Sequence, residues 1–297
     1  MSTLVRHVRV IDPYAHVDVI DDVAISPEAI EIAPSAAKPT HVIDGRGCVL
    51  VPGFVDLHVH FREPGFVHKE DIASGIRAAL AGGVTSALVM PNTKPAIDQP
   101  KHVDFQLKRA QSCGFDLMVA ACASKGLLGE VASDIANLAR AGVRAVTDDG
   151  HAIHDAKLME TVLKQCRLHN IVCMQHAENV EMSHHASLNE GVASKRLGIL
   201  GQSSRAESAL VKRDLELALQ INCRYHVLHL SCQESLRAVR MAKRESQLIS
   251  CEVAPHHLLL SDSDIRGFDT HKKMNPPLRS KEDVEALLEG LAGGTID

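Results

Sequence analysis

The sequence is poor in aromatic residues and has no excess of positive charge. Among 297 residues there are no tryptophans, two tyrosines and six phenylalanines. Aromatic side chains carry much of the buried area in many cores, so this core must be built mainly from valine, isoleucine, leucine and alanine. Lysine and arginine number 32 against 37 aspartates and glutamates, a formal net charge of −5. Without a basic block, the chain has no surface typical of a nucleic-acid-binding protein.

Long apolar runs and a cysteine framework are also missing. No stretch approaches the roughly 18 consecutive apolar residues of a membrane span, and the first residues lack the apolar segment of a signal peptide. The eight cysteines include no CxxC pair, which indicates reduced, mostly buried thiols and not a disulfide scaffold. We therefore expect a cytoplasmic protein that binds neither membranes nor nucleic acids.

The apolar pattern divides the chain near residue 50. Residues 1–50 contain β-like fragments broken by Asp, Pro and Gly, which predict part of a small β-domain. Residues 51–297 alternate between strand and helix patterns, which predicts a parallel sheet covered by helices. The candidate strands are 53–58, 85–90, 116–121, 143–147, 171–175, 225–230 and 248–253. The candidate helices are 69–81, 100–112, 128–141, 155–169, 205–221, 233–245 and 281–291.

The strand count predicts an α/β fold of the TIM-like (β/α)8 barrel type that lacks one strand. Seven strands and seven helices can be counted, and a barrel of this type needs about 250 residues. The chain stops at Asp297, where an eighth strand would begin. A barrel short of one strand leaves two unpaired edges. We therefore expect the chain to be a fragment, incomplete at its C-terminus, with a natural seven-strand variant as the alternative.

Two histidines close the first candidate strand of the barrel. His58 and His60 are two residues apart, so on a strand both side chains point to the same face. Two imidazoles at one strand end can bind one metal ion, since histidine is the commonest ligand of zinc-like ions. Arg62 offers a planar fork for a substrate carboxylate, and Asn92, after the second strand, could supply amide hydrogen bonds to the same group. Both residues could alternatively be loop stabilisers.

Further polar residues follow the later strands. Asp148 and Asp149 come after the fourth candidate strand, His176 after the fifth, and His229 within the sixth, near its end. Barrel enzymes place their active sites at this end of the strands, so we predict a metal centre that assists hydrolysis. The histidine pair of the first strand would hold one ion, and His176 and His229 would hold a second. One of the two aspartates would bridge the ions.

Together these blocks resemble class I, bacterial-type dihydroorotases of the amidohydrolase superfamily. The most specific block is the octapeptide HVHFREPG from His58 to Gly65, and the resemblance runs from about residue 51 to residue 297. It implies a metal-dependent hydrolase barrel with a small β-domain formed by both chain ends. It also implies the reversible cyclisation of N-carbamoyl-L-aspartate to dihydroorotate in pyrimidine (UMP) biosynthesis.

The resemblance assigns roles to individual residues. It implies two zinc ions bridged by a hydroxide and by Asp149, with Asp148 outside the ligand set. The implied zinc ligands are His58, His60, Asp149, His176 and His229. The implied substrate contacts are His60, Arg62, Asn92 and Asn275. Many relatives bridge their metals with a carboxylated lysine, but no lysine stands at the end of the fourth strand here, so we expect no lysine modification.

The chain departs from the family pattern at its end. In the family, a Gly-Thr-Ile-Asp sequence is soon followed by a strand ending in Asp-His-Ala-Pro-His, whose first Asp is a zinc ligand and the general acid/base. Here the catalytic residue would lie beyond residue 297, and Asp297 itself comes too early to serve. We therefore expect little or no activity from these 297 residues alone, since loss of a general acid/base costs on the order of 10²–10⁴ in rate.

Two other functions compete with the dihydroorotase interpretation. Hydantoinases, dihydropyrimidinases and allantoinases share the barrel and the ring-amide chemistry, but they typically use the lysine bridge and need no arginine for a substrate carboxylate. An inactive dihydroorotase-like scaffold of aspartate transcarbamoylase is the alternative from another class. Such scaffolds usually lose their metal histidines, whereas this chain keeps four. Association with that transcarbamoylase, or a homodimer, is a further expectation.

Overall fold

A computed structural model describes residues 2–35 and 39–297. Residues 1 and 36–38, which fall inside the predicted β-domain 1–50, lie outside the described residues. The chain forms two compact units. The first consists of the described residues up to Val55 together with Gly83–Thr85, and the second of Asp56–Gly82 and Ser86–Asp297.

The first unit is a five-stranded sheet. Its strands are β1 Thr3–Asp12, β2 Val17–Ile25, β3 Ile30–Ile32, β4 His41–Asp44 and β5 Val49–Leu50. β1 and β2 form an antiparallel pair, interrupted between Val5 and Val8, and β3 extends it on the β2 side. β4 and β5 both run parallel to β1. Val8, Val10 and Val23 form its buried core, which is aliphatic, as the composition predicts.

A second sheet contains seven strands in the order in which they occur along the chain. Its strands are β6 Phe54–Val59, β7 Val84–Val89, β8 Asp116–Cys122, β9 Ala145–Thr147, β10 Val172–Gln175, β13 Tyr225–Val227 and β14 Ile249–Cys251. Between β10 and β13, a separate two-stranded ladder joins β11 Leu188–Asn189 to β12 Gly201–Gln202. The registers from β7 to β14 are parallel, and β6 lies beside β7, with backbone hydrogen bonds from Phe54 to Gly83 and from Met90 to Val59. The prediction of seven parallel strands is therefore confirmed.

Helices alternate with these strands. They are α1 Ile72–Ala81, α2 Pro100–Gln111, α3 Ile135–Arg140, α4 Ala156–His169, α5 Val180–Ser183, α6 Val192–Leu197, α7 Arg205–Ile221, α8 Gln233–Glu245, α9 Pro255–Leu259 and α10 Lys281–Ala292. Short 3₁₀ turns occupy Lys125–Leu127, Asp262–Asp264 and Thr270–Lys272. Polar caps fix several helix starts: Asp71 and Ser74 form a capping box at α1, and Ser280 and Asp283 form another at α10.

Several predicted boundaries were wrong. The helix predicted over 128–141 begins only at Ile135, because Asp134 caps it and Gly129, with φ of +67°, cannot sit inside a helix. The helix predicted from 69 begins at Ile72, after its cap at Asp71. The strand predicted over 248–253 is shorter, Ile249–Cys251. Helices α5, α6 and α9 were not predicted.

The interior of the parallel sheet is filled by aliphatic and methionine side chains. The buried cluster consists of Leu88, Met90, Ala120, Ala145, Met174 and Leu228. These residues come from five consecutive strands or their ends, with two from β7 and one each from β8, β9, β10 and β13, as in a barrel core. All eight cysteines are free, and six of them are buried, as predicted. Across residues 2–35 and 39–297, no helix combines the length and the apolar character needed to cross a membrane.

Candidate metal centre

The five predicted ligands stand at the carboxyl ends of four parallel strands. His58 lies in β6, with His60 directly after that strand, and Asp149 follows β9 by two residues. His176 follows β10 directly, and His229 follows β13 by two residues. Because neighbouring parallel strands end at the same edge of a sheet, these side chains converge on one rim.

The Asp149 carboxylate lies at the centre of four imidazoles. Its Oδ1 is 3.5 Å from Nε2 of His58, 3.7 Å from Nδ1 of His176 and 3.6 Å from Nε2 of His229. Its Oδ2 is 3.4 Å from Nε2 of His60. Asp149 is only 3 % exposed. One carboxylate therefore faces all four predicted histidine ligands, two from the first strand and two from later strands.

These spacings suit shared metal ligands better than direct hydrogen bonds. Nitrogen–oxygen hydrogen bonds have lengths of about 2.7–3.2 Å. Two ligand atoms that each lie about 2.0–2.1 Å from one tetrahedral zinc ion are about 3.3 Å apart. Ligand atoms of His58, Asp149 and His229 all lie within 4.8 Å of one another. An imidazole and carboxylate donor set of this kind fits zinc and similar divalent ions, so the residues present fit a metal centre.

In three of these histidines, the ring nitrogen that does not face Asp149, called here the outer nitrogen, contacts an oxygen acceptor. Nδ1 of His58 lies 2.6 Å from Oε1 of Glu252, and Nε2 of His176 lies 3.1 Å from Oε2 of Glu178. Nδ1 of His60 contacts Oδ1 of Asn92 at 3.0 Å. Acceptors on the outer nitrogen fix the tautomer and orientation of a ligating histidine, and they are typical of metal sites in proteins.

Sequence reasoning gave no role to Glu252 or Glu178. Glu252 is the acidic residue of an otherwise uncharged candidate strand, 248–253, and this isolated charge was the signal that could have identified it. Glu178 is two residues after His176, inside a block already singled out. The hydrogen bond to His176 outweighs burial and lowers the pKa of Glu178 to about 2.

Electrostatics keep Asp149 charged and favour the neutral form of two of the imidazoles. Burial opposes ionisation of Asp149, but the imidazoles of His229 and His58 beside it dominate, so its pKa lies well below its usual range. Burial lowers the pKa of His60 and of His229, which favours the neutral form that binds metals. Burial also acts on His58, but the carboxylates of Asp149 and Glu252 beside it raise its pKa to about 10.

The two neighbouring aspartates face different partners. The Asp148 carboxylate accepts a hydrogen bond from the backbone N–H of Ser124 at 2.9 Å and another from its hydroxyl. Burial raises the pKa of Asp148. The structure thus brings Asp149 to the histidines and directs Asp148 to the loop that follows β8.

Arg62 and Asn92 stand at the His60 side of the cluster. Nη1 of Arg62 donates to Oδ1 of Asn92 at 3.2 Å, and Nδ2 of Asn92 lies 3.4 Å from Oδ2 of Asp149. Arg62 and His229 have left-handed backbone conformations, with φ of 59° and 30°. Such conformations are uncommon outside glycine and cluster at functional sites.

Asn275 lies at the His176 side of the cluster. Its Nδ2 donates to Oε2 of Glu178 at 2.7 Å and lies 3.4 Å from Nε2 of His176. These three residues line a cavity of about 640 Å³, whose wall also includes His154 and Lys273. The volume is in the range of small-molecule sites. The structure therefore places the predicted substrate contacts around the histidine cluster, with Asn275 in the cavity wall.

Two other polar residues near the chain end have their hydrogen-bond partners outside this cluster. The Asp297 carboxylate pairs with Lys243 at 2.7 Å and accepts from the backbone N–H of Cys251 at 3.0 Å. His257 is buried, and its Nε2 contacts the carbonyl oxygen of Pro276 at 3.1 Å. Both contacts fix local structure around β14 and α9.

A family model and the curated relatives of this chain agree on one family. The model of a family described as dihydro-orotase-like matches residues 47–235. A dihydroorotase from Endomicrobium trichonymphae is 38% identical over 298 residues, covering 100% of this chain and 70% of that protein. A dihydroorotase from Pelobacter propionicus is 39% identical over 301 residues, covering 100% of this chain and 71% of that protein. The chain thus spans about 70% of the length of these relatives.

Solved structures show the same fold at lower identity. An L-hydantoinase from Arthrobacter aurescens superposes with a TM-score of 0.79 at 22% identity, covering 99% of this chain and 67% of that one. A dihydropyrimidinase from Brevibacillus agri gives a TM-score of 0.78 at 20% identity, covering 100% and 67%. At this identity the likeness concerns the amidohydrolase barrel fold alone.

Proposed function

We propose, from the premise that the chain belongs to the dihydroorotase-like family, that its metal centre is that of an enzyme that interconverts N-carbamoyl-L-aspartate and dihydroorotate. The family is one of cyclic amide hydrolases, and the expected setting is pyrimidine synthesis in the cytoplasm. The observation that carries the proposal is the Asp149 carboxylate, which faces four histidines at 3.4–3.7 Å.

The cluster would hold two zinc ions. His58 and His60 would bind one ion, His176 and His229 the other, and Asp149 would bridge them. When bound, such ions make water a strong nucleophile at neutral pH and polarise an amide carbonyl. The ligand atoms that face Asp149 are Nε2 of His58, His60 and His229 and Nδ1 of His176, and the outer contacts to Glu252, Asn92 and Glu178 support this assignment.

The substrate carboxylate would be held by Arg62. Its guanidinium is always charged and presents donors in a fixed planar fork, which matches a carboxylate. Asn92 orients this fork, because its Oδ1 accepts from Arg62 at 3.2 Å and also contacts His60 at 3.0 Å. Asn275 would contact the substrate from the cavity wall. Association with aspartate transcarbamoylase or with a second copy stays a prediction.

Metal content and substrate binding test this function together. Zinc-loaded protein should bind about two zinc ions per chain and should bind dihydroorotate more tightly than hydantoin or allantoin. Asp149→Asn should lose most of its zinc, whereas Asp104→Asn makes the same change on the exposed face of α2 and should keep it. A protein that binds no zinc, or that prefers hydantoin, would contradict the proposal.

A further inference from the structure

Glu252 links the first and last strands of the parallel sheet at the rim where the metal centre lies. It follows β14, whereas its partner His58 belongs to β6, which is the other edge strand of the seven. The two residues are 194 positions apart, and Oε1 of Glu252 lies 2.6 Å from Nδ1 of His58. This is the shortest of the contacts to the outer histidine nitrogens described above.

Glu252 is itself held from a second side. Its Oε2 lies 3.3 Å from Nε2 of His226, and Nδ1 of His226 lies 2.8 Å from the Ser250 hydroxyl oxygen. Its Oε1 also faces the backbone N–H of His229 at 3.4 Å. Both oxygens of the carboxylate are therefore engaged, so the side chain has one defined direction. Hydrogen bonds to His226 and His58 outweigh burial and lower the pKa of Glu252.

The orientation of the His58 ring decides which of its two nitrogens would bind the metal. Nδ1 faces Glu252, and Nε2 faces Asp149 at 3.5 Å. A carboxylate can only accept, so it favours the tautomer with hydrogen on Nδ1 and leaves the lone pair on Nε2. The same charge makes the imidazole a better electron donor. A partly buried carboxylate without a partner would be costly, and His58 and His226 supply its partners.

We propose that Glu252 is a positioning residue of the metal centre: it holds the His58 ring so that Nε2 faces Asp149, where these two residues would hold an ion together. His226 and Ser250 anchor Glu252 in turn. The proposal rests on the proposed metal-dependent function. Beyond that function, the proposal states that the affinity for one of the two ions depends on Glu252. This residue directly follows the seventh strand and would not itself bind the metal.

The test compares three variants by their affinity for metal alone. Glu252→Ala removes the acceptor, and Glu252→Gln keeps an oxygen at the same reach without the charge. Glu245→Gln makes the same carboxylate-to-amide change at an exposed position at the end of α8. Metal-free protein is titrated with Zn²⁺ in competition with a chelator, and with Co²⁺ to record the absorption spectrum. Thermal unfolding of the metal-free forms is measured in parallel.

We expect E252A to lose about 10–100-fold in affinity for one ion. E252Q should show a smaller loss, together with a changed Co²⁺ spectrum, and it carries the test if E252A does not fold. E245Q should match the wild type. Wild-type affinity and an unchanged spectrum in E252Q and E252A, even with a lowered Tm of the metal-free protein, would reduce Glu252 to a purely structural role and overturn the proposal. Failure of the wild type to bind either metal would instead overturn the proposed function itself.

Discussion

The guanidinium of Arg62 and the side-chain oxygen of Asn92 form a hydrogen bond of 3.2 Å beside the histidine cluster. The same Asn92 oxygen contacts Nδ1 of His60 at 3.0 Å. One amide therefore couples the orientation of the predicted carboxylate-binding residue to that of a predicted metal ligand. Arg62 keeps a left-handed backbone, with φ of 59°, which is the kind of conformation that is retained where the surrounding contacts demand it.

Arg62→Lys should weaken dihydroorotate binding by about 10–100-fold, since a hydrogen bond to a charged group contributes about 1.5–3 kcal/mol. Lysine keeps the charge but loses the fork that matches a carboxylate. Zinc content should be unchanged, because Arg62 faces Asn92 and not Asp149. Calorimetric titration of zinc-loaded protein measures the binding. Arg237→Lys on α8, which contacts Gln233, is the matched control, and equal binding by both variants would refute the role of Arg62.

Asp148→Asn should keep its zinc, in contrast to Asp149→Asn. The Asp148 carboxylate faces Ser124, and burial raises its pKa, so a neutral amide of the same shape suits that position. We expect zinc affinity within about threefold of wild type and a stability change of about 1 kcal/mol, the usual contribution of one hydrogen bond. Metal analysis after dialysis checks this. Loss of zinc from Asp148→Asn alone would make Asp148 the bridging ligand.

Much of the rim could be anticipated from sequence because strand ends are local features. His58, His60, Asp149, His176 and His229 each follow or close an apolar run, and parallel strands bring such ends to one edge. Period and spacing therefore sufficed to collect the four histidines and the pair Asp148 and Asp149, whereas the choice of Asp149 within that pair came from the family resemblance.

The supporting residues could not be anticipated in the same way. The contact between Glu252 and His58 depends on how the sheet brings its two edge strands together, and no local pattern encodes that. Helices α5, α6 and α9 have four to six residues, too few for an amphipathic period to be recognised. The late start of α3 depends on Gly129 and the cap at Asp134, which the apolar pattern alone does not reveal.

Gly75→Ala should disturb the metal centre indirectly, through the Phe61 ring that packs against Gly75. Gly75 lies in α1, and a Cβ there would meet the Phe61 ring at 2.4 Å. Phe61 stands between His60 and Arg62 in the chain, so its displacement moves both neighbours. Alanine normally favours a helix over glycine by about 1 kcal/mol, but overpacking of this kind costs about 1–3 kcal/mol. We therefore expect lower stability and weaker zinc binding, measured by urea unfolding and chelator competition.

Gly82→Ala is the control for that variant. A Cβ at Gly82, just after the same helix, would meet backbone oxygens no closer than 3.5 Å, an ordinary contact. We expect a stability change of about 0.5 kcal/mol or less and unchanged zinc affinity. If both glycine variants bound zinc like the wild type, the packing of Phe61 would not govern the position of His60.

His257→Gln should reduce the loss of stability in mild acid. His257 is 2 % exposed, its Nε2 contacts the Pro276 carbonyl oxygen, and its Nδ1 has no partner among the described residues. Burial lowers the pKa of His257 to about 3, below its unfolded value of about 6.5. As the pH falls, this histidine therefore binds a proton in the unfolded chain at a higher pH than in the folded protein. The contribution of the neutral ring to stability is complete above pH 6.5 and is lost progressively towards pH 3.

Glutamine does not titrate and can still donate to the Pro276 carbonyl. Between pH 7 and pH 5 the wild type should lose on the order of 2 kcal/mol more than His257→Gln, at about 1.4 kcal/mol per pH unit below 6.5. Urea unfolding of both proteins at the two pH values isolates this difference, because the remaining groups titrate alike in both. His271→Gln, at a residue in the exposed turn Thr270–Lys272, is the control and should follow the wild type. Parallel stability curves for His257→Gln and the wild type would mean that His257 becomes charged in the folded protein as readily as in the unfolded chain.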